Sequence, residues 1–492
     1  MAGDRKTGDQ GDGFGDALAP TAESPPTLEF RTTPEAELRE RRRRTAQGLF
    51  QTRQSDHIGP RRFCFLQGPH GPFFAELADA LTHLGHSAFR IGFNRGDQTF
   101  WDGRPYRAWR DSAEAWAARA GEVLRQERVT DLVVYGDVRG YHAHALEAAR
   151  RIGIRTHLFE EGYIRPYWIT YEREGLNAAS PLMALDLNEI DEATLPDDPL
   201  LEVPPSHWGE LNAHVYHGLR YHWLNQFMNW RYPEAQRTSS RTAWQEWRGT
   251  YGRALAIPYL TMRRRWRKQR LYREGRPYHL VLLQLRWDAS IQRHSPYNDM
   301  GEVVRECVRA FAPSSEGGAA ERDLLVFKTH PLEDGMEGLP AIAREAADEV
   351  GLDFSRIRFI DGGKLGQVLE PARSVVTVNS TAGQQALWRG KPVKTLGAAI
   401  YDKPGLVSQQ SLPAFFADPE AGDPGLYRRF RRLMLATSQI RGGFYTRAGR
   451  TLALENVARA MLATDEPYAR FVRQTPQPAP ATPHPKVKRS LP

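Results

Sequence analysis

HLFEEGYIRPYWITYE, residues 157–172, contains a short apolar run, Leu158-Phe159, that stops on two adjacent carboxylates, Glu160 and Glu161, before Gly162. A strand that ended for structural reasons alone would not need two like charges side by side. Working outward, this run is the last strand of an alternating series. RRFCFLQG (61–68) reads as a buried strand, and GPFFAELADALTHLGH (71–86) as a helix with Phe74, Leu77, Ala78 and Leu81 on one face. SAFRIGFN, TDLVVYGD and THLFEEG then read as strands, with SAEAWAARAGEVLRQE and YHAHALEAARRIGI as the helices between them. A βαβαβ order predicts a parallel sheet with helices on both faces.

The alternation breaks over 205–275, a stretch rich in Trp, Tyr and Arg that reads as a helical insertion joining two domains. It restarts with YHLVLLQL, DLLVFKTHP, RIRFIDG, SVVTVNS and KPVKTLG as strands. NDMGEVVRECVRAFA, LPAIAREAADEVG, KLGQVLEPAR and TAGQQALWRG are the helices of this second doubly wound unit. The expected fold class is therefore α/β of the GT-B type: two Rossmann-like domains facing a cleft, with a helical insertion and C-terminal helices. The domain reading is 1–58 a disordered basic arm, 59–204 an acceptor domain, 205–275 the insertion, and 276–413 a nucleotide-sugar domain. Helices that can pack back across both domains follow over 414–472, then a Pro-rich disordered tail over 473–492.

The 492 residues exceed one hydrophobic core, and 40% hydrophobic with 26% charged residues is a globular composition. No apolar run is long enough to span a bilayer, and the polar, Gly-rich N-terminus has no signal-peptide core, so a cytoplasmic location is expected. Cys64 falls in a strand pattern and Cys307 in a helical one, both expected as buried free thiols. No His/Cys cluster has metal-ligand spacing and no Asp-x-Asp ends a strand, so neither metal nor cofactor is expected. The charge of +8 gathers in Arg39–Arg44 and Thr261–Arg276. The second run interleaves Met262, Trp266, Leu271 and Tyr272 with arginine, which suits either an anionic membrane surface or a solvated helix face. Nucleic-acid binding lacks a motif.

In open α/β sheets ligands sit beyond the carboxyl ends of strands. Gln67-Gly68-Pro69-His70 ends the first strand and suits an acceptor site or a stiff turn. Asp137, after Tyr135-Gly136, either binds acceptor hydroxyls or caps the next helix, the cap being the commoner role. Glu160 and Glu161 point to opposite sides of their strand, so one can face the cleft while the other is held by the scaffold. Gly162 lets the chain turn and a ligand approach, and Arg165 follows. A cleft carboxylate serves glycosyl transfer as a base or a nucleophile. In the second domain Lys328, His330 and Pro331 end one strand, and Asn379, Ser380 and Thr381 lead another into a helix. Ser380 and Thr381 can cap that helix over a phosphate seat, and His330 can neutralise a departing phosphate. Gln284 and Arg286 mark a further strand end suited to nucleotide or a donor carboxylate.

FLQGPHGPFFAELADALTHLGH, FNRGDQTFW, HLFEEGYIRPYWITYEREGLNAAS, QLRWDASIQRHSPYNDM, KTHPLEDG and VNSTAGQQALWRGKPVKTLG together resemble the KpsS (LipB-like) family of capsular polysaccharide biosynthesis proteins, over roughly residues 60–415. The resemblance implies a retaining, metal-independent β-Kdo transferase. It would use CMP-β-Kdo as donor substrate and an anionic lysophospholipid, lyso-phosphatidylglycerol, as acceptor. It implies a peripheral place on the inner membrane, with a KpsC-like transferase and the capsule ABC exporter as partners. The family's acidic-acidic-Gly, His-Pro and Ser-Ser/Thr motifs fall on Glu160-Glu161-Gly162, His330-Pro331 and Ser380-Thr381, and the carboxylate before the glycine, Glu161, is implied as the catalytic one. Competing readings are a GT-B transferase using another CMP- or UDP-sugar on a glycan, and a non-catalytic component of capsule export.

Overall fold

The computed structural model describes residues 59–198, 210–234, 262, 266–284, 295–315, 317–329, 338–361 and 364–471. The expected 1–58 arm, the 473–492 tail, most of 235–265, and the strand-end residues Arg286, His330 and Pro331 lie outside the described residues.

The first unit opens with strand β1 (Arg62–Phe65), helix α1 (Phe73–His83), β2 (Ser87–Gly92), α2 (Arg95–Thr99) and β3 (Tyr106–Ala108). It continues through α3 (Ala113–Gln126), β4 (Asp131–Tyr135), α4 (Gly140–Ile152), β5 (Arg155–Glu161) and β6 (Trp168–Glu172). Helix starts follow local chemistry: Asn94 and Ser112 accept the Asp97 and Ala115 N–H groups, and Gly153 closes α4 at φ 75°. Strand alternation sorts the core. Phe63 and Phe65 bury on one face of the sheet with α1, while Cys64 and Leu66 bury on the other among residues of α3 and α4.

After helix α5 (Glu210–Phe227), the second unit runs β7 (Tyr278–Leu282), α6 (Met300–Phe311), β8 (Leu324–Thr329), α7 (Leu339–Glu349), β9 (Ile357–Asp361) and α8 (Leu365–Leu369). It then runs β10 (Ser374–Thr377), α9 (Ala382–Trp388) and β11 (Val393–Thr395), followed by α10 (Leu412–Ala417), α11 (Pro424–Thr437), β12 (Gln439–Arg441) and α12 (Arg447–Leu462). The second sheet is ordered β11-β10-β7-β8-β9 and is parallel throughout. The first is ordered β12-β6-β5-β4-β1-β2-β3, parallel except for β6 and β12.

Strands β3, β6 and β12 are additions to the sequence reading. β6 turns straight back on β5, pairing Glu161 with Ile169, and β12 pairs antiparallel with β6. The tail thus crosses from one unit to the other. Tyr427, Phe430, Leu433 and Met434 of α11 bury among residues of the second sheet, and Val457 and Met461 of α12 bury with α1 and β1. Two doubly wound sheets bound by a returning tail make the GT-B type of architecture. Both cysteines are buried free thiols.

The insertion divides its loyalties. Helix α5 packs on the first unit, while the helical residues 266–274 dock on the second through Arg267 to Asp361 (2.7 Å) and Lys268 to Gln367 (2.7 Å). The described part of the basic run therefore spends charge on packing.

Candidate active site

At the end of β5, Glu160 and Glu161 diverge as strand geometry requires. Asn177 Nδ2 donates to Glu160 Oε2 at 2.9 Å, which ties that carboxylate to the scaffold. Glu161 Oε1 accepts from two phenols, Tyr445 at 2.7 Å and Tyr135 at 3.2 Å. Burial, reinforced by the Glu161 charge, raises both phenols well above their ordinary value, so each stays a protonated donor. Two O–H groups on one oxygen stabilise its negative charge and fix the carboxylate's rotation.

Gly162 serves the expected turn and leaves no room for the expected ligand approach. A Cβ there would press against the carbonyls of Trp168 and Ile164, so the chain's own β5–β6 turn takes the space assigned to a ligand. Arg165 Nε donates to the Gly162 carbonyl at 3.3 Å, which bridges the same turn. Asp137 does not cap α4. The cap position is Arg139, without a side-chain bond, and Asp137 accepts the Leu176 N–H at 3.2 Å, tying the chain beyond β6 to the end of β4.

The end of β1 lies under α5. Buried His70 stacks on Tyr221 with centroids 4.3 Å apart and meets His222 edge-on at 5.3 Å. Burial, then the neighbouring His222 and Arg139, hold its pKa well below the usual imidazole value, so His70 is neutral. Gln67 Nε2 reaches the Tyr221 hydroxyl at 3.4 Å, and Gly68 lies where a Cβ would crowd the Phe74 ring. From the same helix, His214 stacks on Tyr445 at 4.1 Å. His70 and Glu161 are thus linked through one helix and one tyrosine.

In the second unit, Gln284 and Asn379 bond reciprocally across the ends of β7 and β10, at 3.0 and 3.2 Å. Ser380 Oγ accepts the Ala382 N–H at 3.2 Å, while Thr381 occupies the cap position of α9 without a side-chain bond. Capping therefore belongs to Ser380 alone, a correction to the paired reading. Lys328 is buried one residue before the end of β8. The units meet here: Gln384 Nε2 on α9 donates to the Tyr163 carbonyl at 3.0 Å, two residues beyond Glu161.

The sequence reading therefore placed Glu160, Glu161, His70, Gln284, Asn379 and Ser380 at strand ends, where they are found. It missed Tyr445, Tyr135 as a partner of Glu161, Asn177 and Gln384.

The two doubly wound sheets and this strand-end carboxylate define a protein of glycosyltransferase-like GT-B architecture. The chain belongs to the family described as "Capsule polysaccharide biosynthesis protein", which it matches over residues 130–445. It is similar to the "Capsule polysaccharide export protein KpsS" of Escherichia coli, at 30% identity over 400 residues, covering 79% of this chain and 98% of that one. It is also similar to the "Capsule polysaccharide modification protein LipB" of Neisseria meningitidis serogroup B, at 28% identity, covering 77% of this chain and 91% of that one. Among solved structures it resembles Thermosulfurimonas dismutans KpsC, beta Kdo 2,7 transferase, at 15% identity and a TM-score of 0.39, covering 82% of this chain and 98% of that one. The architecture stated here rests on the chain's own topology.

Proposed function

We propose that this protein is a retaining glycosyltransferase of capsule biosynthesis, moving Kdo from CMP-β-Kdo to a lyso-phosphatidylglycerol acceptor to start an exported glycan. The hydrogen bond from Gln384 to the Tyr163 carbonyl carries the reading. It joins the Glu161 strand end to the helix that begins beside Ser380, which supports a carboxylate and a phosphate seat acting on one donor.

In the proposed reaction Glu161 attacks the anomeric carbon of Kdo as the bond to the CMP phosphate breaks, and the phosphate leaves with the bonding pair. The acceptor hydroxyl then displaces Glu161 from the same face on which CMP departed, its proton passing to solvent water as Glu161 leaves as the carboxylate, and two inversions give net retention. Tyr445 and Tyr135 hold the carboxylate while it carries negative charge, before attack and after release. Lys328, the Ser380 end of α9 and His330 are assigned to the departing phosphate, Gln284, Arg286, Asn379, Thr381 and Pro331 to the donor. Gln67, Gly68, His70, Asp137 and Arg165 are assigned to the acceptor side. A KpsC-like transferase would extend the product.

Incubation with CMP-Kdo and a fluorescent lyso-phosphatidylglycerol, read by mass spectrometry, tests the proposal. One or more Kdo added with EDTA present is the expected result. Turnover of a UDP-sugar or CMP-sialate, with CMP-Kdo left intact, would overturn the donor assignment.

A further inference from the structure

Helix α5 is amphipathic the wrong way round for a soluble protein. Its inward face buries Leu224 but is otherwise rich in polar side chains. Asn225 Oδ1 accepts the Gly96 N–H at 2.8 Å, Asn94 Nδ2 donates to the Tyr221 hydroxyl at 2.8 Å, and that hydroxyl donates to Asp97 at 3.2 Å. His214 and Tyr221 on this face stack on Tyr445 and His70. Its outward face carries Tyr216, Leu219, Trp223 and Phe227, at the three- and four-residue spacing of one helical stripe, all more than half exposed. Trp230 extends the stripe and is 74% exposed. Scattered surface apolar residues are ordinary, but five large ones in one row form a patch that calls for a partner.

We infer that this face of α5 is an interfacial helix that lies on a phospholipid surface with anionic headgroups. Three observations select that occupant. Between residues 211 and 233 there is no Asp or Glu, while Arg220 and Arg231 flank the stripe, the guanidinium of Arg231 lying 4.8 Å from the Trp230 ring centroid. Trp, Tyr, Phe and Leu beside Arg are the side chains that suit the headgroup–acyl boundary. The patch is the convex side of a single helix, which fits a plane, and no described helix is long and apolar enough to cross a membrane. The helix has 18 residues, so about 27 Å of it can lie flat, with its apolar side chains reaching about 5–10 Å into the boundary. Because the opposite face touches Tyr445 and His70, docking would bring the Glu161 strand end close to the lipid surface. The inference needs none of the sugar chemistry proposed above.

The test is flotation of the full chain with vesicles of phosphatidylcholine alone, or of equal parts phosphatidylcholine and phosphatidylglycerol, without sugar donor. The wild type should float with the mixed vesicles. Leu219→Ser/Trp223→Ser/Phe227→Ser should lower its partitioning about tenfold or more. Trp223→Ser alone, the fallback should the triple variant not fold, should lower it about threefold. Arg220→Gln/Arg231→Gln should weaken binding to the mixed vesicles while leaving the weaker binding to phosphatidylcholine unchanged. A triple variant that folds and floats like wild type would overturn the inference, as would a wild type that floats with neither vesicle. A wild-type dimer that the same substitutions make monomeric, with no vesicle binding by either, would assign the face to a second copy instead.

Discussion

Glu161 and Glu160 are neighbours with different circumstances, and the difference is testable by single-atom changes. Glu161→Gln keeps an oxygen for Tyr445 and Tyr135 but removes the charge, so transfer should fall about 10²–10⁴-fold in a product assay. Glu160→Gln still offers an acceptor to Asn177 and should keep activity within a few-fold. Equal losses from both would refute the division of roles. Tyr445→Phe removes the shorter bond to Glu161, and a lost hydrogen bond to a charged group corresponds to about a ten- to hundredfold fall in kcat. KM should be nearly unchanged, because the phenol touches the carboxylate rather than the substrate. Tyr135→Phe, which removes the 3.2 Å bond, should cost less. A Tyr445→Phe enzyme with wild-type kcat would show that the phenol only packs.

At the scale of elements, Gln384 on α9 is the polar link between the two strand ends. Gln384→Ala should lower stability by about 1 kcal/mol in urea melts and lower kcat/KM by more than that loss of folding accounts for. A variant with weakened stability and full turnover would separate the contact from the chemistry. The alternating strands and helices were legible because each buries a face with its own period, two for a strand and 3.6 for a helix. Strand β6 was not, because WITYE follows a turn without a Gly-rich hairpin signal and its antiparallel pairing with β5 leaves no period in the sequence to read. The three-residue β12 is too short to show any period. Tyr445 lies 284 residues beyond Glu161, so no local pattern could pair them. Asp137 stayed open between acceptor binding and capping because sequence shows a side chain's reach along its own helix and hides a partner such as Leu176 across the fold. The double carboxylate was legible because charge at the end of an apolar run is a local anomaly.

At the scale of the whole molecule, the returning tail closes on a buried carboxyl. Glu172, the last residue of β6, accepts from Tyr468 at 2.6 Å and Ser180 at 2.7 Å on the same oxygen, Oε1. Burial outweighs those two donors and raises its pKa from 4.5 to about 8, so the folded chain holds it protonated at neutral pH. The unfolded chain releases that proton near the ordinary carboxyl value. Stability from this group is therefore full below about pH 4.5 and is lost progressively as the pH rises to about 8. His157, buried against Asp131 and lowered from 6.5 to about 4, has the opposite sign: its contribution is present above 6.5 and is lost as the pH falls towards 4. Glu172→Gln separates the two, since it keeps an acceptor oxygen for Tyr468 and Ser180 but cannot ionise. Its melting temperature should match wild type near pH 5 and, above pH 6.5 where His157 no longer titrates, stay level to about pH 9 while that of wild type declines. Parallel profiles would mean that Glu172 is already ionised in the fold, held by Tyr468 and Ser180 as an anion, and that the tail closes on a charge.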